Sequence, residues 1–320
     1  MLSVPYAKVI VNPVAGGNSV SKDWPRICQC LHDASLCFDH EFTKGIGHAI
    51  EISRQATDIG YRMVVVVGGD GTLNEVVNGI MASANRKSIT LGVVTAGTAC
   101  NFARSLGIPR DYAGSCSFLI SPGRALIDIG LVEYKSHGEM LQRYFISAAD
   151  VGMGSAIANV WNRLPNRFGK SINYWLRTYT ALRHFAKYSN IPIRLQVGEV
   201  VEDILSRDII IANVPYFGNG MQIAPHANPN DGLFDLLTFG DFSKYELLKI
   251  WPALYRGTHI GHSKIKERKT TRVTVESDEQ LFVQADGIVL GETPASFRII
   301  PSALTIVGIE LTDLEFSIMR

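Results

Sequence analysis

The sequence predicts an α/β domain with a mostly parallel sheet, followed by a β-rich domain. Buried-strand patterns, glycine-containing loops and helical patterns alternate four times within about the first 110 residues, which is typical of a parallel sheet covered by helices on both faces. Strand patterns then follow one another with few helices between them, which is typical of an antiparallel β domain. A length of 320 residues is sufficient for two such domains.

Composition narrows the functional class. The net charge of +1 argues against an obligate nucleic-acid-binding protein, so we expect no nucleic-acid partner. No apolar run approaches the roughly 18–20 residues that span a bilayer, and the N-terminus resembles a strand rather than a signal peptide. The five cysteines lack CxxC spacing and indicate reduced thiols. We therefore expect a soluble, cytoplasmic protein.

The first predicted strand, Lys8–Val11, leads into a loop that contains Asn12, Pro13, Gly16 and Gly17. Pro13 would end the strand, the two glycines would free the loop, and a helix would follow after Ser21. In open α/β sheets, loops at this position bind nucleotides. The same pattern also describes a plain turn, and this loop alone does not decide between the two.

The second unit comprises a predicted strand over Leu36–Phe42 and a helix over His48–Ile59. The third is the segment Val64–Gly79, VVVVGGDGTLNEVVNG, which has a buried-strand pattern, a glycine turn and a helical pattern. We expect Thr72 to cap this helix, with Glu75 at capping-box spacing. A helix N-terminus after a glycine turn suits a phosphate, and Asp70 would lie beside it, where Mg²⁺ or its water shell would be.

The fourth unit has a predicted strand over Thr90–Val94 and a glycine turn that contains Gly97 and Thr98. A helix follows, ending near Arg104 or Ser105, before Gly107 and Pro109. In a parallel sheet these loops share one edge, so we expect them to form a single phosphate-binding crevice.

We place the nucleotide-binding domain at residues 1–124, with a return of the chain over 302–320, and the β-rich domain at 125–301. The β-rich domain has predicted helices at Ser155–Leu164, Ser171–Ser189 and Ser243–Tyr255. Its predicted strands are Ala125–Tyr134, Arg143–Ala148, Ile193–Val197, Asp208–Val214, Leu233–Phe239, Arg272–Glu276, Gln280–Ala285 and Ser296–Ile300, and a last strand over Leu304–Leu311 would return to the first domain.

Two further motifs lie in the β-rich part. Residues 217–225, FGNGMQIAP, precede a turn in which Asp231 and Asp235 flank Gly232. Carboxylates on a turn suit Mg²⁺ or Ca²⁺, although an aspartate in a β-turn also commonly bonds its own main chain. The second motif, residues 284–294, reads QADGIVLGETP.

The GGDGTLNEVVNG segment closely resembles the signature of the diacylglycerol kinase catalytic-domain family, which includes sphingosine kinases and soluble bacterial lipid kinases. The first loop is similar to the family's NPxSG element, with Ala15 at the usual serine. Residues 218–235 resemble GGGMxIAPxAxxxDGLLD, and residues 286–294 resemble DGExxxxTP. The resemblance implies a Rossmann-like, three-layer nucleotide domain followed by a β-sandwich domain, as in NAD kinases and diacylglycerol kinases.

The resemblance implies an ATP- and Mg²⁺-dependent kinase that transfers the γ-phosphoryl group to the hydroxyl of a lipid such as diacylglycerol. It implies Asp70 as the catalytic residue and a structural magnesium at Asp231 and, less directly, Asp235. Nucleotide contacts are implied at Asn12, Gly16, Gly17, Gly68, Gly69, Asp70, Gly71, Thr72, Glu75, Gly97, Thr98, Asn101, Asp286 and Gly287.

The sequence departs from the family pattern at two places. Ile288 replaces the family's glutamate, which is proposed to act in base catalysis or to organise metal, and Cys100-Asn101 replaces the usual Asn-Asp. An isoleucine can accept no proton, so a weak kinase or a nucleotide- and lipid-binding pseudokinase is an alternative. NAD kinase, which shares GGDG, is a further one, but the LNE after GGDGT and the DGLFD element favour lipid kinases.

We expect the lipid to be met at a membrane surface, with peripheral association at its inner face, and a homodimer is compatible with the sequence. Two segments could contact the membrane. One is the helix over Ser171–Ser189, which could lie in the interface, although its pattern favours a core-facing helix. The other is a basic run of residues between 264 and 272, a pattern that more commonly marks a solvated strand edge: Lys264, Lys266, Arg268, Lys269 and Arg272.

Overall fold

In the computed structural model of the chain, residues 6–163, 179, 183 and 188–308 are described, and fifteen strands among them form one hydrogen-bonded sheet system. Most of the helix predicted over Ser171–Ser189 and the end of the return predicted over 302–320 lie outside the described residues. Within the described part of the chain, no helix is both long and apolar enough to cross a lipid bilayer.

Residues up to Gly152 contribute seven strands: β1 (Ala7–Val11), β2 (Phe38–Phe42), β3 (Met63–Gly68), β4 (Thr90–Thr95), β5 (Arg124–Ser136), β6 (Glu139–Phe145) and β7 (Ala148–Gly152). The later strands are β8 (Ile191–Val197), β9 (Val200–Ser206), β10 (Asp208–Ala212), β11 (Phe234–Phe239), β12 (Ile265–Thr270), β13 (Arg272–Glu276), β14 (Phe282–Ala285) and β15 (Ile288–Val307). The first half of the molecule contains β1–β4, and the second half contains β5–β14, with β15 shared between them. The helices are α1 (Ala15–Asp33), α2 (His48–Ile59), α3 (Asp70–Met81), α4 (Asn101–Ser105), α5 (Tyr112–Leu119), α6 (Met153–Arg163) and α7 (Lys244–Arg256).

The first half is a three-layer α/β unit. Its strands run parallel in the order β2-β1-β3-β4, and the end of β15 adds a fifth parallel strand beside β4. Strand β3 is buried along its whole length, because helices α2 and α3 pack on one face of the sheet and α1 and α5 on the other. Continuous burial explains its run of four valines.

The second half is an antiparallel sandwich. Strands β14, β7, β10, β11 and β12 continue the main sheet, while β13, β8, β9, β5 and β6 branch from β15. The core between the layers is mostly aliphatic and contains a cluster of three phenylalanines: the ring of Phe145 stacks on Phe234, with 5.5 Å between centroids, and meets Phe297 edge-on at 6.4 Å. Helices α6 and α7 cover the outer face of β7, β10 and β11. The predicted α/β-plus-sandwich fold class is therefore confirmed.

Strand β15 connects the two halves. Residues Ala295–Ile300 pair with β5, the register shifts, Leu304–Val307 pair with β5 again, and Thr305 and Ile306 also pair with β4. The prediction of separate strands over Ser296–Ile300 and Leu304–Leu311 is wrong for the described residues, because Pro301 and Ser302 form a bulge and do not end the strand. Ser302 takes a positive φ of 48° there, and its N–H donates to Asp128.

Candidate active site

The loops after β1, β3 and β4 meet at the carboxyl edge of the parallel sheet. Gly69 and Gly97 pack main chain against main chain, since a Cβ on Gly97 would lie 2.5 Å from the Cα of Gly69. The loop after β1 extends into the first residues assigned to α1, because Gly16, Gly17 and Asn18 have left-handed, non-helical φ values. A Cβ on Gly16, where φ is +62°, would lie 2.8 Å from the carbonyl oxygen of Ala96. Glycine is therefore required where these loops touch.

The cleft at this edge is open over part of its glycine surface. Gly17, Gly71 and Thr98 are exposed, and Gly16, Gly69 and Gly97 are half-buried. Helix α3 begins here with its N-terminus facing the loops, so unpaired N–H groups and a partial positive charge are available to an anion. The arrangement suits a polyphosphate.

Two predicted contact residues hold the loops together from inside. The Asn12 side-chain amide donates to Thr72 Oγ1 at 2.8 Å, which links the first loop to α3. Thr72 is buried, and its side chain fills the space beside Gly68, where a Cβ would lie 2.8 Å from it. Gly68 and Thr72 thus shape the phosphate loop from below.

The predicted capping box at Thr72 and Glu75 is wrong. Helix α3 starts three residues earlier than predicted, at Asp70, with extended Gly69 as N-cap and no side-chain cap. Glu75 instead accepts hydrogen bonds from the N–H groups of Gly47 at 2.9 Å and Ala49 at 3.3 Å, at the start of α2. A carboxylate is favourable at a helix N-terminus, so in this structure Glu75 supports α2 and does not line the nucleotide cleft.

Asp70 is held across the cleft by α4. Its Oδ2 accepts hydrogen bonds from the main-chain N–H of Asn101 at 3.0 Å and from the Asn101 side chain at 3.3 Å, and its Oδ1 accepts one from the Phe102 N–H at 3.3 Å. Burial raises the pKa of Asp70, and the two main-chain hydrogen bonds oppose that rise. A fixed carboxylate with an elevated pKa is suited to accept a proton.

Asn101 joins the cleft to the motif of the second half. Its side-chain oxygen accepts from the Gly220 N–H at 2.9 Å. One turn further along α4, the exposed guanidinium of Arg104 lies 5.5 Å above the Tyr216 ring. Gly220, with φ +89°, leaves room for it, since a Cβ there would lie 3.2 Å from the guanidinium. The predicted FGNGMQIAP motif therefore meets Asp70 through Asn101.

Asp286 lies inside the protein, where it does not reach the cleft surface. It is 6% exposed, and its carboxylate accepts from the Asn74 side chain at 2.8 Å and from three main-chain N–H groups, of Ile146 (2.9 Å), Ser147 (2.8 Å) and Ala148 (3.3 Å). These hydrogen bonds give Asp286 a structural role, and the nucleotide contact implied for it stays a prediction. Gly287 is exposed with φ +81°, and half-buried Ile288 begins β15.

The turn at Asp231 is stabilised by the chain itself. Asp231 Oδ1 accepts from the Leu233 N–H at 3.0 Å, and its Oδ2 lies 2.5 Å from Lys269 Nζ. Asp235 is 1% exposed, lies 4.0 Å from the same ammonium, and has no hydrogen-bond partner on either oxygen in the described structure. Burial raises the pKa of Asp235 to about 7.

This donor set bears on the implied magnesium. Two carboxylates on one turn, one of them without hydrogen bonds, are the hard oxygen donors that Mg²⁺ takes, so the residues fit a divalent cation, which would compete with Lys269. Among the described residues, no three His, Cys, Asp or Glu side chains gather around a common point, so main-chain oxygens or water would have to complete the coordination.

Asp128 is an important residue that the sequence reasoning missed. It is fully buried in β5, its Oδ2 accepts from the Gly232 N–H and its Oδ1 from the Ser302 N–H, both at 2.7 Å. It thereby fastens the Asp231 turn to the bulge of β15. The available signal was an acid within the apolar run ALIDIG, since a buried carboxylate requires partners.

Two family models match the chain. Residues 6–132 match the diacylglycerol kinase catalytic domain, and residues 147–308 match the YegS C-terminal NAD kinase beta sandwich-like domain. The residues between the two matches, 133–146, include the end of β5 and all of β6.

Relatives and solved structures agree with these models. The chain is 29% identical over 293 residues to a diacylglycerol kinase of Bacillus subtilis, covering 91% of this chain and 92% of that protein. It is 28% identical over 297 residues to one of Staphylococcus carnosus, covering 91% of each. A crystal structure of a diacylglycerol kinase from Bacillus anthracis superposes with a TM-score of 0.71 at 18% identity, covering 97% of this chain and 98% of that one.

Proposed function

The chain belongs to the diacylglycerol kinase catalytic-domain family and is an ATP-dependent lipid kinase, and we propose that its acceptor is diacylglycerol or a related lipid with a hydroxyl group. The observation that carries the proposal is Asp70, fixed by α4 at the mouth of a glycine-lined cleft. The relatives' shared name supports diacylglycerol as the first lipid to test.

We place the ATP phosphates at the N-terminus of α3, over the exposed glycines of the loops after β1, β3 and β4. The acceptor hydroxyl approaches from the side of Asp70, whose carboxylate takes the proton as the oxygen bonds to the γ-phosphorus and the bond to the β–γ bridging oxygen breaks. The main-chain N–H groups of Asn101 and Phe102 hold that carboxylate in place. Positioning of the reactants and neutralisation of charge account for most of the rate acceleration in phosphoryl transfer.

Mg²⁺, when bound to the nucleotide, would neutralise the triphosphate charge. Asp70 is the carboxylate placed to hold it or its water shell. The second implied metal, at Asp231 and Asp235, would serve stability, because that turn is fastened to Asp128 and β15 and not to the glycine loops.

A binding-only protein is the second candidate, and Ile288 favours it. Where the family carries a carboxylate, this chain places a half-buried alkyl side chain, and Asn101 brings no charge to the cleft. A general base contributes typically about 10²–10⁴-fold to rate, so its loss slows a kinase without abolishing nucleotide binding.

The proposal is tested by incubating the protein with γ-labelled ATP, Mg²⁺ and a total lipid extract, with NAD in a separate reaction. We expect label in the lipid fraction, lost in Asp70→Asn and kept in Asp111→Asn, which removes a helix-capping carboxylate at α5 instead. Label in NAD alone would identify an NAD kinase. Nucleotide-dependent thermal stabilisation without transfer to either acceptor would identify the binding-only protein.

A further inference from the structure

The basic run expected to meet lipid is largely occupied within the protein. Lys264 pairs with Glu246 at 2.8 Å, Arg268 with Glu202, and Lys269 with Asp231. Paired cations offer little to an anionic surface, so the contact with the membrane has to be sought elsewhere among the described residues.

Helix α7 presents an apolar face to solvent. Ile250 and Leu254 are buried against the sandwich, and the opposite face carries Tyr245, Leu248 and Tyr255, which are 80%, 55% and 43% exposed. At about 3.6 residues per turn these three side chains lie within roughly a quarter of the helix circumference. Exposed Pro252 lies between them. An exposed apolar stripe of this kind marks an interaction surface.

Two cations border the stripe. Lys249 and Arg256 are exposed on the same outward side of α7, and neither has a carboxylate within 4.0 Å among the described residues. Glu246, the acidic residue of this helix, forms an ion pair with Lys264 and a capping box with Ser243. The outer face of α7 is therefore apolar with a positive border.

The C-terminus of α7 adjoins the motif that reaches the cleft. A Cβ on Gly257, which ends the helix, would lie 3.1 Å from Gln222 Oε1, and His259 Nε2 lies 2.9 Å from the Ile223 carbonyl oxygen. Two residues before Gln222, Gly220 donates to Asn101, which holds Asp70. A surface that contacts α7 would thus lie next to the side of the site from which we expect the acceptor hydroxyl to approach Asp70.

We propose that the outer face of α7, defined by Tyr245, Leu248, Lys249, Pro252, Tyr255 and Arg256, rests in the interface of an anionic phospholipid bilayer. Tyrosine and leucine side chains enter the headgroup boundary, and the two cations meet lipid phosphates. A second copy of the chain fits less well, because a two-fold contact through this face would bring like charges together. The inference rests on the proposed function, since the acceptor is a lipid.

The test is co-sedimentation with phosphatidylcholine vesicles, with and without phosphatidylglycerol. Tyr245→Ser/Leu248→Ser should weaken binding at least about ten-fold, and Lys249→Gln/Arg256→Gln about thirty-fold on anionic vesicles only. The matched control is Val200→Ser/Val201→Ser, which removes two exposed valines (60% and 56%) from edge strand β9 and should bind as the parent does. Stabilisation by Mg²⁺-ATP in every variant reports an intact fold.

Binding of both α7 variants at the parental level would overturn the proposal. The proposal would also be overturned if the α7 substitutions converted a dimer to a monomer in sedimentation velocity while lipid binding stayed unchanged. That result would show that this face binds a second copy of the chain. Phosphorylation of a short-chain, water-dispersed diacylglycerol is measured in parallel. Its absence in the parent, with vesicle binding as expected, would refute the proposed function and leave the surface assignment standing.

Discussion

Asp286 and Ile288 stand two residues apart at the beginning of β15, and the structure gives them different surroundings. The Asp286 carboxylate points inward and is saturated by hydrogen bonds from Asn74 and three main-chain N–H groups. It has no capacity to accept a substrate proton. Ile288 is half-buried, and its alkyl side chain can accept no proton, so we propose Asp70 as the group that acts on the acceptor.

Restoring a carboxylate at position 288 should therefore speed the reaction. We expect Ile288→Glu to raise kcat on the lipid substrate by up to about 10²-fold, the lower end of general-base contributions, with little change in the affinity for ATP. Ile288→Gln is the control, because it has the same shape and accepts no proton at neutral pH. Equal kcat values for the two variants in steady-state assays would show that the side chain does not face the acceptor.

A second pair of residues, Asp150 and Asp208, brings two carboxyl groups close together in the interior. Asp150 and Asp208 are both buried beneath the first turn of α6, where Asp150 accepts hydrogen bonds from Ser155 and Gln284 and Asp208 from the Gly154 N–H. Burial raises the pKa of Asp150 to about 7, and burial together with the charge of Asp150 raises that of Asp208. Two such neighbours share protons more readily than they ionise together.

This pair should make stability depend on pH. A folded pKa above the unfolded value of about 3.9 means that the stabilisation is complete below pH 4 and is lost as the pH rises through about 7. Asp150→Asn removes one of the two titrating carboxyl groups, so the stability of the variant should fall less than that of the parent as the pH rises from 5 to 8. Parallel Tm curves for parent and variant between pH 5 and 8 would contradict the assignment.

At the scale of elements, the turn at Asp231 joins β5, β11, β12 and β15. Asp128 holds its Gly232 N–H and the Ser302 N–H at once, and Lys269 on β12 pairs with Asp231. The turn therefore has an internal cation, and Asp235 behind it keeps two oxygens without hydrogen bonds.

If a magnesium ion supports this turn, Mg²⁺ should raise the Tm of the parent and should do so much less in Asp231→Ala. Asp278→Ala, which removes an acid on the exposed turn after β13, is the control and should respond as the parent does. Differential scanning fluorimetry over a Mg²⁺ titration without nucleotide measures both. Equal stabilisation of all three proteins would leave Lys269 as the cation that serves the turn.

The elements that sequence patterns predicted best are those whose pattern has a local cause. A valine run, a glycine turn and a helical pattern defined β3 and α3 to within a few residues, because backbone conformation and burial are decided there by adjacent residues. Strand β9 was missed, and β12 was anticipated only as the solvated strand edge offered for the basic run, since an edge strand reading IKERKT has no buried face along most of its length.

Site details that depend on distant partners could not be read from the sequence. Thr72 and Glu75 have capping-box spacing, yet their partners are Asn12 and the start of α2. Asp286 matches a motif that implied a ligand contact, but residues about 140 and 210 positions away saturate it. The spacing of residues in the sequence indicates which hydrogen bonds are possible, but the tertiary fold determines which of them form.

On the scale of the whole molecule, Asp286 also couples the two halves. Its carboxylate binds Asn74 of α3 and the main chain that enters β7, and the Asn213 amide adds bonds to the carbonyls of Asp128 and Ile146. These contacts, with β5 and β15 running through both halves, favour cooperative unfolding of the described structure.

Asp286→Ala should weaken that coupling. It leaves several buried donors without an acceptor, at about 1–3 kcal/mol each, so we expect a loss of at least about 3 kcal/mol and a broadened or split calorimetric transition. Asp286→Asn retains one acceptor oxygen and tolerates the positive φ of 50° at this position, and it should lose less. An Ala variant that melts like the parent in a single sharp transition would show that the halves are coupled by the strands alone.

The passage of β15 through both halves also affects how the protein can be made. The edge of β4 that pairs with Thr305 and Ile306 stays open until roughly 200 further residues have been synthesised, which at ribosomal rates takes roughly 10–40 s. During that time a nascent chain carries every glycine loop of the nucleotide cleft but an unclosed sheet, and such edges recruit other strands. An N-terminal fragment expressed without residues 288–307 would consequently be prone to aggregate, and the intact chain should depend on chaperones during translation more than its finished stability suggests.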